Sequence, residues 1–311
     1  MANTINLPHI NPVKLVQKNL STFDKYNFRH FDIALFEDQI LNFQEKKMYF
    51  QKFQNSDTIT IQFTSTFGPF SFRLLDCKET VIATGTVTQI STSYFTAPTY
   101  AYKGEIDLTG IDEGIFWVEL VIGTNPSQLK FISEPIYVAE NHKNSMCFEY
   151  TNSTNDFGAI FQNGETFTFR VEAILKEFTP GSNDVVFEDE PANLVKLSSS
   201  AFRTFKLSVG AAQGVPDWVA DKLNRIFGCD SVLLDGKAFT RNDGAKLESN
   251  GDPLIPLRGW SLEVRESKAR TGLTFENNIP QDNNIVVIYN IEDSFFGDLG
   301  TNQTTIISKT E

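Results

Sequence analysis

Apolar side chains recur at every second position through much of this chain. In Asp57-Thr58-Ile59-Thr60-Ile61-Gln62-Phe63, Ile59, Ile61 and Phe63 project to one side while Thr58, Thr60 and Gln62 project to the other, which predicts a half-buried strand. Phe70, Phe72 and Leu74 repeat the pattern around Ser71 and Arg73. The Thr-rich stretch from Val81 to Ile90 predicts an edge strand, and Glu105 to Leu108 a short alternating one. Gly114 opens Ile115-Phe116-Trp117-Val118-Glu119-Leu120-Val121-Ile122, apolar at nearly every position, as expected of a central strand covered on both faces. The turn cluster Gly123 to Ser127 follows, and Leu129 to Val138 closes the set, with Pro135 marking an edge. Short strands punctuated by turns over residues 46–138 predict a β-sandwich.

Residues 139–145 are polar and aperiodic and are read as a linker. Beyond them Met146 to Tyr150, Thr166 to Glu172 and Thr204 to Val209 alternate as strands. One helix is predicted at about 216–227. Pro216 and Asp217 suit its first turn, Val219, Leu223, Ile226 and Phe227 form one apolar stripe, and Gly228 is placed to stop it. Asp235-Gly236 between two apolar runs signals a hairpin, and Trp260, Leu262 and Val264 alternate in a further strand. Ile285 to Tyr289 is a last strand candidate. The expected fold is therefore mainly β. It has an irregular N-terminal arm (1–45), a sandwich (46–138), the linker (139–145), a β-rich α+β domain with the one helix (146–292) and a Gly-, Thr- and Asn-rich tail (293–311). Phe23, Tyr26, Phe28, Phe31 and Phe36 give the arm apolar rings for packing on its own domain or on a neighbouring subunit.

Charge narrows the function classes. The 311 residues carry 39 acidic and 27 basic side chains, a formal net charge of −12, which argues against a nucleic-acid partner and an anionic membrane surface. No apolar run approaches the roughly 18 residues of a membrane span, and the start lacks the pattern of a secretory signal, so membrane insertion is not expected and synthesis in the cytoplasm is. Three cysteines, Cys77, Cys147 and Cys229, form no C-x-x-C pair. His142 and Cys147 lack two further partners for a zinc site, so reduced, mostly buried thiols are expected. G-x-S-x-G, H-E-x-x-H and G-x-G-x-x-G are all missing from the sequence. Gly236-Lys237-Ala238 is not a phosphate loop, because Ser231 stands where its first glycine belongs and Ala238 lacks the hydroxyl. Glu188-Asp189-Glu190 before Pro191 reads as a solvated loop, although a glycan hydrolase would need two facing carboxylates. No catalytic residue, cofactor or metal ligand is assigned. The candidate contact surface is the aromatic, Pro-broken segment Tyr94 to Tyr102, with Tyr94, Tyr100 and Tyr102 as its rings; burial against its own sheet is the other reading. Trp218 and Trp260 are expected in the core.

Two sets of phrases carry a resemblance. One is Tyr49-Phe50-Gln51-Lys52-Phe53-Gln54-Asn55-Ser56 running into the strand at 57–63, with Ser133-Glu134-Pro135-Ile136-Tyr137-Val138 much later. The other runs from Thr204-Phe205-Lys206-Leu207-Ser208-Val209-Gly210 through Gly214-Val215-Pro216-Asp217-Trp218, Asn224-Arg225-Ile226-Phe227, Asp235-Gly236-Lys237 and Gly244-Ala245-Lys246-Leu247-Glu248 to Gly259-Trp260-Ser261-Leu262-Glu263-Val264-Arg265. Over roughly residues 46–270 the chain resembles tail and baseplate structural proteins of bacteriophages that infect Bacteroidetes hosts. The Gly-Ile-Phe-Trp strand and the Ser-Glu-Pro-Ile strand also look like the last two strands of fibronectin-type or Ig-like domains. Trp117 departs from the immunoglobulin pattern, whose marker Trp lies on an earlier strand between bridged cysteines. The resemblance implies a non-enzymatic virion protein of the tail ring or baseplate, assembled in the host cytoplasm. Its partners would be copies of itself in a ring-like homo-oligomer and other tail proteins. A carbohydrate- or host-surface-binding module is the alternative, and a glycan hydrolase a third.

Overall fold

The period-two segments form strands, and those strands build nearly all of the ordered architecture. The computed structural model describes residues 5–18, 49–90, 99–124, 128–161, 164–188, 194–212, 214–250 and 257–266, all within one compact unit. The fold is mainly β, with several sheets and one helix among the described residues.

The first half supplies β1 (Ile5–Asn6), β2 (Leu15–Gln17), β3 (Gln51–Gln54), β4 (Thr58–Ser65), β5 (Phe70–Leu75), β6 (Val81–Thr84), β7 (Thr86–Gln89), β8 (Tyr100–Asp107), β9 (Gly114–Ile122), β10 (Leu129–Ser133) and β11 (Ile136–Ala139). One sheet runs β1-β4-β8-β7. A second runs β2-β10-β9-β11-β3, with β5 on β9 and β6 on β5. Ile59, Ile61 and Phe63 of β4 share one buried core with Phe72 and Leu74 of β5 and Val118, Leu120 and Ile122 of β9. Strand β9 is covered on both faces over Phe116–Ile122, as its unbroken apolar run demands. Its neighbour splits into β10 and β11 at Glu134-Pro135, and the Ser133 hydroxyl fills the break. It accepts from the Val118 N–H at 2.8 Å and donates to the Glu134 carbonyl at 2.6 Å.

Two expectations are revised here. The N-terminal segment is not wholly irregular: Ile5–Asn6 pairs with Thr64–Ser65, and Leu15–Gln17 pairs with Phe131–Ser133, so it edges both sheets. The polar side of β4 is also buried, with Gln62 2% exposed. The Asn11 side-chain amide donates to and accepts from the Gln62 backbone at 2.8 Å each way, taking the place of a missing strand neighbour. The Gln62 side chain in turn pairs with the Ile160 backbone, donating at 2.7 Å and accepting at 2.8 Å. Both contacts use groups that a sequence pattern would assign to solvent.

The second half supplies β12 (Ser145–Thr151), β13 (Phe167–Glu188), β14 (Leu194–Val209), α1 (Asp217–Ile226), β15 (Ser231–Leu234), β16 (Lys237–Arg241), β17 (Glu248–Asn250) and β18 (Gly259–Glu266). These strands pair in the order β14-β13-β12-β15-β16-β18-β17, and β14 pairs with β18 as well. The ladder therefore returns on itself through β12, β13, β14, β18, β16 and β15, a closed antiparallel barrel with no free edge along that circuit. Phe148, Tyr150, Phe167, Phe169, Leu207, Leu234, Phe239 and Val264 fill it, joined by Val219, Leu223 and Ile226 from α1. The β15–β16 turn takes positive φ at Asp235 (47°) and Gly236 (76°), which is the reason for Asp-Gly there. Trp218 and Trp260 pack against the barrel core but remain half-buried.

Buried polar contacts join the barrel to the first two sheets. Arg170 of β13 forks onto Asp57, Nε to Oδ2 and Nη2 to Oδ1, both at 2.8 Å. Gln51 donates to the Arg170 carbonyl at 2.5 Å, and Tyr150 to the Ile10 carbonyl at 2.6 Å. Lys222, on α1, donates to the Asn11 carbonyl.

Candidate functional site

Strands β13 and β14 are far longer than the barrel needs. The barrel uses β13 as far as Ile174–Lys176 and β14 from Thr204 onward, where β18 pairs with it. Beyond a register shift between Lys176 and Thr179, the two strands continue as a two-stranded ribbon, pairing Thr179 with Thr204 through to Glu188 with Leu194. Every described side chain of β13 from Lys176 to Phe187 is exposed except Gly181, which is half-buried.

The ribbon has an internal logic. Gly181 lies opposite Phe202, and a Cβ at 181 would sit 2.6 Å from the Phe202 ring, so the ring lies across bare backbone. The Arg265 guanidinium stacks 3.9 Å from the Phe202 centroid. At the base, Phe178 packs on Phe205 at 5.5 Å, with the Arg203 guanidinium 5.9 Å away. Asp184 is bound by Lys196 at 3.0 Å and by the Ser182 hydroxyl. Farther out, Val185, Val186, Phe187 and Leu197 are about half to two-thirds exposed. A second shift, between Val185 and Val186, twists the tip. Phe187 and Val185 are two apart and share a face with Gly181. Glu188, expected in an acidic loop, ends β13, while Asp189 and Glu190 lie outside the described residues. A polar cleft of about 370 Å³ opens at the ribbon base, with Lys206 and Lys246 set against Glu177, Glu248 and Glu263. Charges of both signs there suit a solvated cleft better than a site for one ionic ligand.

Sequence reading found the barrel ends of this hairpin, at Thr166–Glu172 and Thr204–Val209, and missed the projecting part. The available signal was a long Ser-, Thr- and Val-bearing stretch on either side of the acidic run Glu188-Asp189-Glu190, without a consistent apolar face.

Of the three tyrosines, Tyr94 lies outside the described residues. Tyr100 and Tyr102 are both on β8, two residues apart, and both half-buried. The Tyr102 ring stacks on Phe63 at 5.4 Å and tilts against Phe70 at 4.3 Å. Burial raises the Tyr102 phenol pKa above its ordinary value.

The remaining chemistry is interior. Lys222, on α1, is 4% exposed. Its ammonium sits 5.0 Å from the Trp218 ring centroid and 5.6 Å from that of Phe169, and burial pulls its pKa down to about 7. His142 is buried with Nε2 at 2.9 Å from the Phe53 carbonyl and 3.1 Å from that of Tyr137; burial lowers its pKa. Burial also pushes the Cys147 thiol up to about 12 and Cys229 up to about 11, whereas Cys77 is exposed. Among the described residues no three His, Cys, Asp or Glu side chains are grouped to hold a metal ion. No described helix is long and apolar enough to cross a membrane.

No family model matches the chain, and no curated protein or solved structure matches it.

Proposed function

We propose that this chain is a non-enzymatic structural subunit of a bacteriophage tail, in a tail ring or baseplate, that works by packing against copies of itself and against other virion proteins. The observation that carries the reading is the ribbon. An isolated two-stranded ribbon is marginal in water, and Phe178 and Phe187 stand 55% exposed on this one. Exposed rings on a projecting element are a surface made for a neighbour. The barrel and the two facing sheets, cross-linked by Asp57–Arg170 and Gln62–Ile160, provide the stiff body from which such an arm acts. The Ig-like character of the first two sheets and a virion location belong to the same proposal.

Sedimentation velocity and negative-stain microscopy on the purified full chain test it. The expected result is a closed oligomer of one stoichiometry. A monodisperse monomer at the highest attainable concentration would overturn the assembly reading. A gene lying far from portal, tape-measure and other tail genes would overturn the assignment to a tail.

A further inference from the structure

The N-terminal segment touches every part of the described body. Strand β1 gives two residues to the edge of β4, and β2 gives three to the edge of β10. Between them Ile10 and Val13 are buried, and Asn11 lies along the Gln62 backbone. The Ile10 carbonyl accepts from Tyr150 of the barrel, and the Lys14 N–H donates to the Glu134 carboxylate at 3.2 Å. The remaining tie is Lys222 of α1, which donates to the Asn11 carbonyl.

That tie is poorly suited to a charge. An ammonium carries three donors, and among the described residues the Asn11 carbonyl is the one hydrogen-bond acceptor this ammonium meets. The rest of its described surroundings are the rings of Trp218 and Phe169. Burial is the main influence on Lys222 and disfavours its charged form. Among the charged groups that face it, Glu134 at the β10–β11 break and Asp221 on α1 favour the charge, whereas Lys14 of the N-terminal segment opposes it. Lys14 also reaches Trp218, with its ammonium 5.9 Å from the ring centroid. Tyr49 packs on the same ring at 5.8 Å, and burial holds its phenol neutral.

We propose that residues 5–18 are an acid-released latch: protonation of Lys222 loosens Asn11 and its neighbours from α1, while the barrel and the two sheets stay folded. The segment yields before the helix because it is held more lightly. Helix α1 roots Val219, Leu223 and Ile226 in the barrel core, whereas β1 and β2 are short edge strands. Lifting Asn11 gives the Lys222 ammonium access to water. It also leaves the outer edges of β4 and β10 without their described neighbours. The direction follows from linkage. Lys222 titrates at about 7 in the closed state and moves back toward 10.5 once hydrated, so opening takes up a proton. Opening therefore grows easier as pH falls between those values and levels off below them. The separation limits the effect to on the order of a thousandfold.

Hydrogen exchange of the full chain at pH 6.5 and 8.5, read as protection factors, tests the latch. Peptides covering 10–18 should be protected about tenfold less, or lower still, at pH 6.5. Those covering 116–122 of β9 and 167–173 of β13 should be unchanged. Lys222→Met should abolish the difference at 10–18. Equal losses in β9 and β13 would mean that acid destabilises the whole fold, and the latch would be refuted. An unchanged 10–18 would also refute it, as would a difference that survives in Lys222→Met. His142, buried against the Phe53 and Tyr137 carbonyls, provides an internal control. If protection is lost at 51–54 and 137–142 but not at 10–18, His142 is the acid-sensitive group and the assignment to Lys222 fails, a result that the wild-type chain alone supplies.

Discussion

Replacing Asp57 by alanine should be among the most damaging single changes to this fold. The carboxylate accepts two hydrogen bonds from Arg170, both at 2.8 Å, and a third from the Gln54 N–H at 2.7 Å. The two side chains are 7% and 10% exposed, so solvent screens little of the interaction. Burial alone would lower the Arg170 pKa, yet it is raised, because the hydrogen bonds and charge of Asp57 outweigh burial. Asp57→Ala leaves a guanidinium buried without its partner, which costs about 3–5 kcal/mol. In a body of this size a loss of about 3 kcal/mol lowers Tm by about 6–12 °C. Urea unfolding followed by tryptophan fluorescence measures the loss. The informative control is Asp57→Leu with Arg170→Met. Removing both charges together should recover most of the stability, since the cost lies in the orphaned charge and not in the absence of the pair. A loss under about 1 kcal/mol for Asp57→Ala would refute the claim that this contact clamps the barrel to the first two sheets. A double variant as unstable as the single one would refute the reasoning about its origin.

Lys222 should leave a signature in the pH dependence of stability. Its folded pKa of about 7 lies below its ordinary 10.5, so between those values the unfolded chain holds a proton that the folded chain has released. Its contribution therefore rises with pH across that window, by about 1 kcal/mol per unit, and its full penalty is present below it. Lys222→Met should remove that slope, so the wild-type-minus-variant difference measured by urea unfolding at pH 7 and pH 9 should change by about 2 kcal/mol; a flat difference would count against a buried, deprotonating lysine. The thiols should separate kinetically under a chromogenic disulfide reagent at pH 8. Cys77 should react quickly in the native protein, while Cys147 and Cys229 should wait for denaturant. Three equally fast thiols would contradict their burial.

What the chain encodes locally could be read without coordinates. Period-two alternation marked β4, β5, β12 and β18, an unbroken apolar run marked β9, Asp235-Gly236 marked its hairpin, and a 3.6-residue stripe marked α1 to within a residue at each end. These signals work because each arises from neighbours a few positions apart in sequence. Tertiary structure decided the rest. Alternation reports that a face is covered but not by what, so nothing in residues 58–65 announced that Asn11 and Ile160 would bury the polar side of β4. Barrel closure depends on β14 meeting β18 across more than fifty residues, and no local pattern specifies that pairing. The candidate site was the least visible part. Tyr100 and Tyr102 were singled out because rings are conspicuous in a sequence, yet Tyr102 packs on Phe63 and Phe70. The ribbon passed unnoticed because nearly all of its described side chains are exposed, and hydrophobic periodicity records burial alone. Lys222 shows the converse: the apolar stripe of α1 does not include it, yet contact with Asn11 and two aromatic rings places it inside.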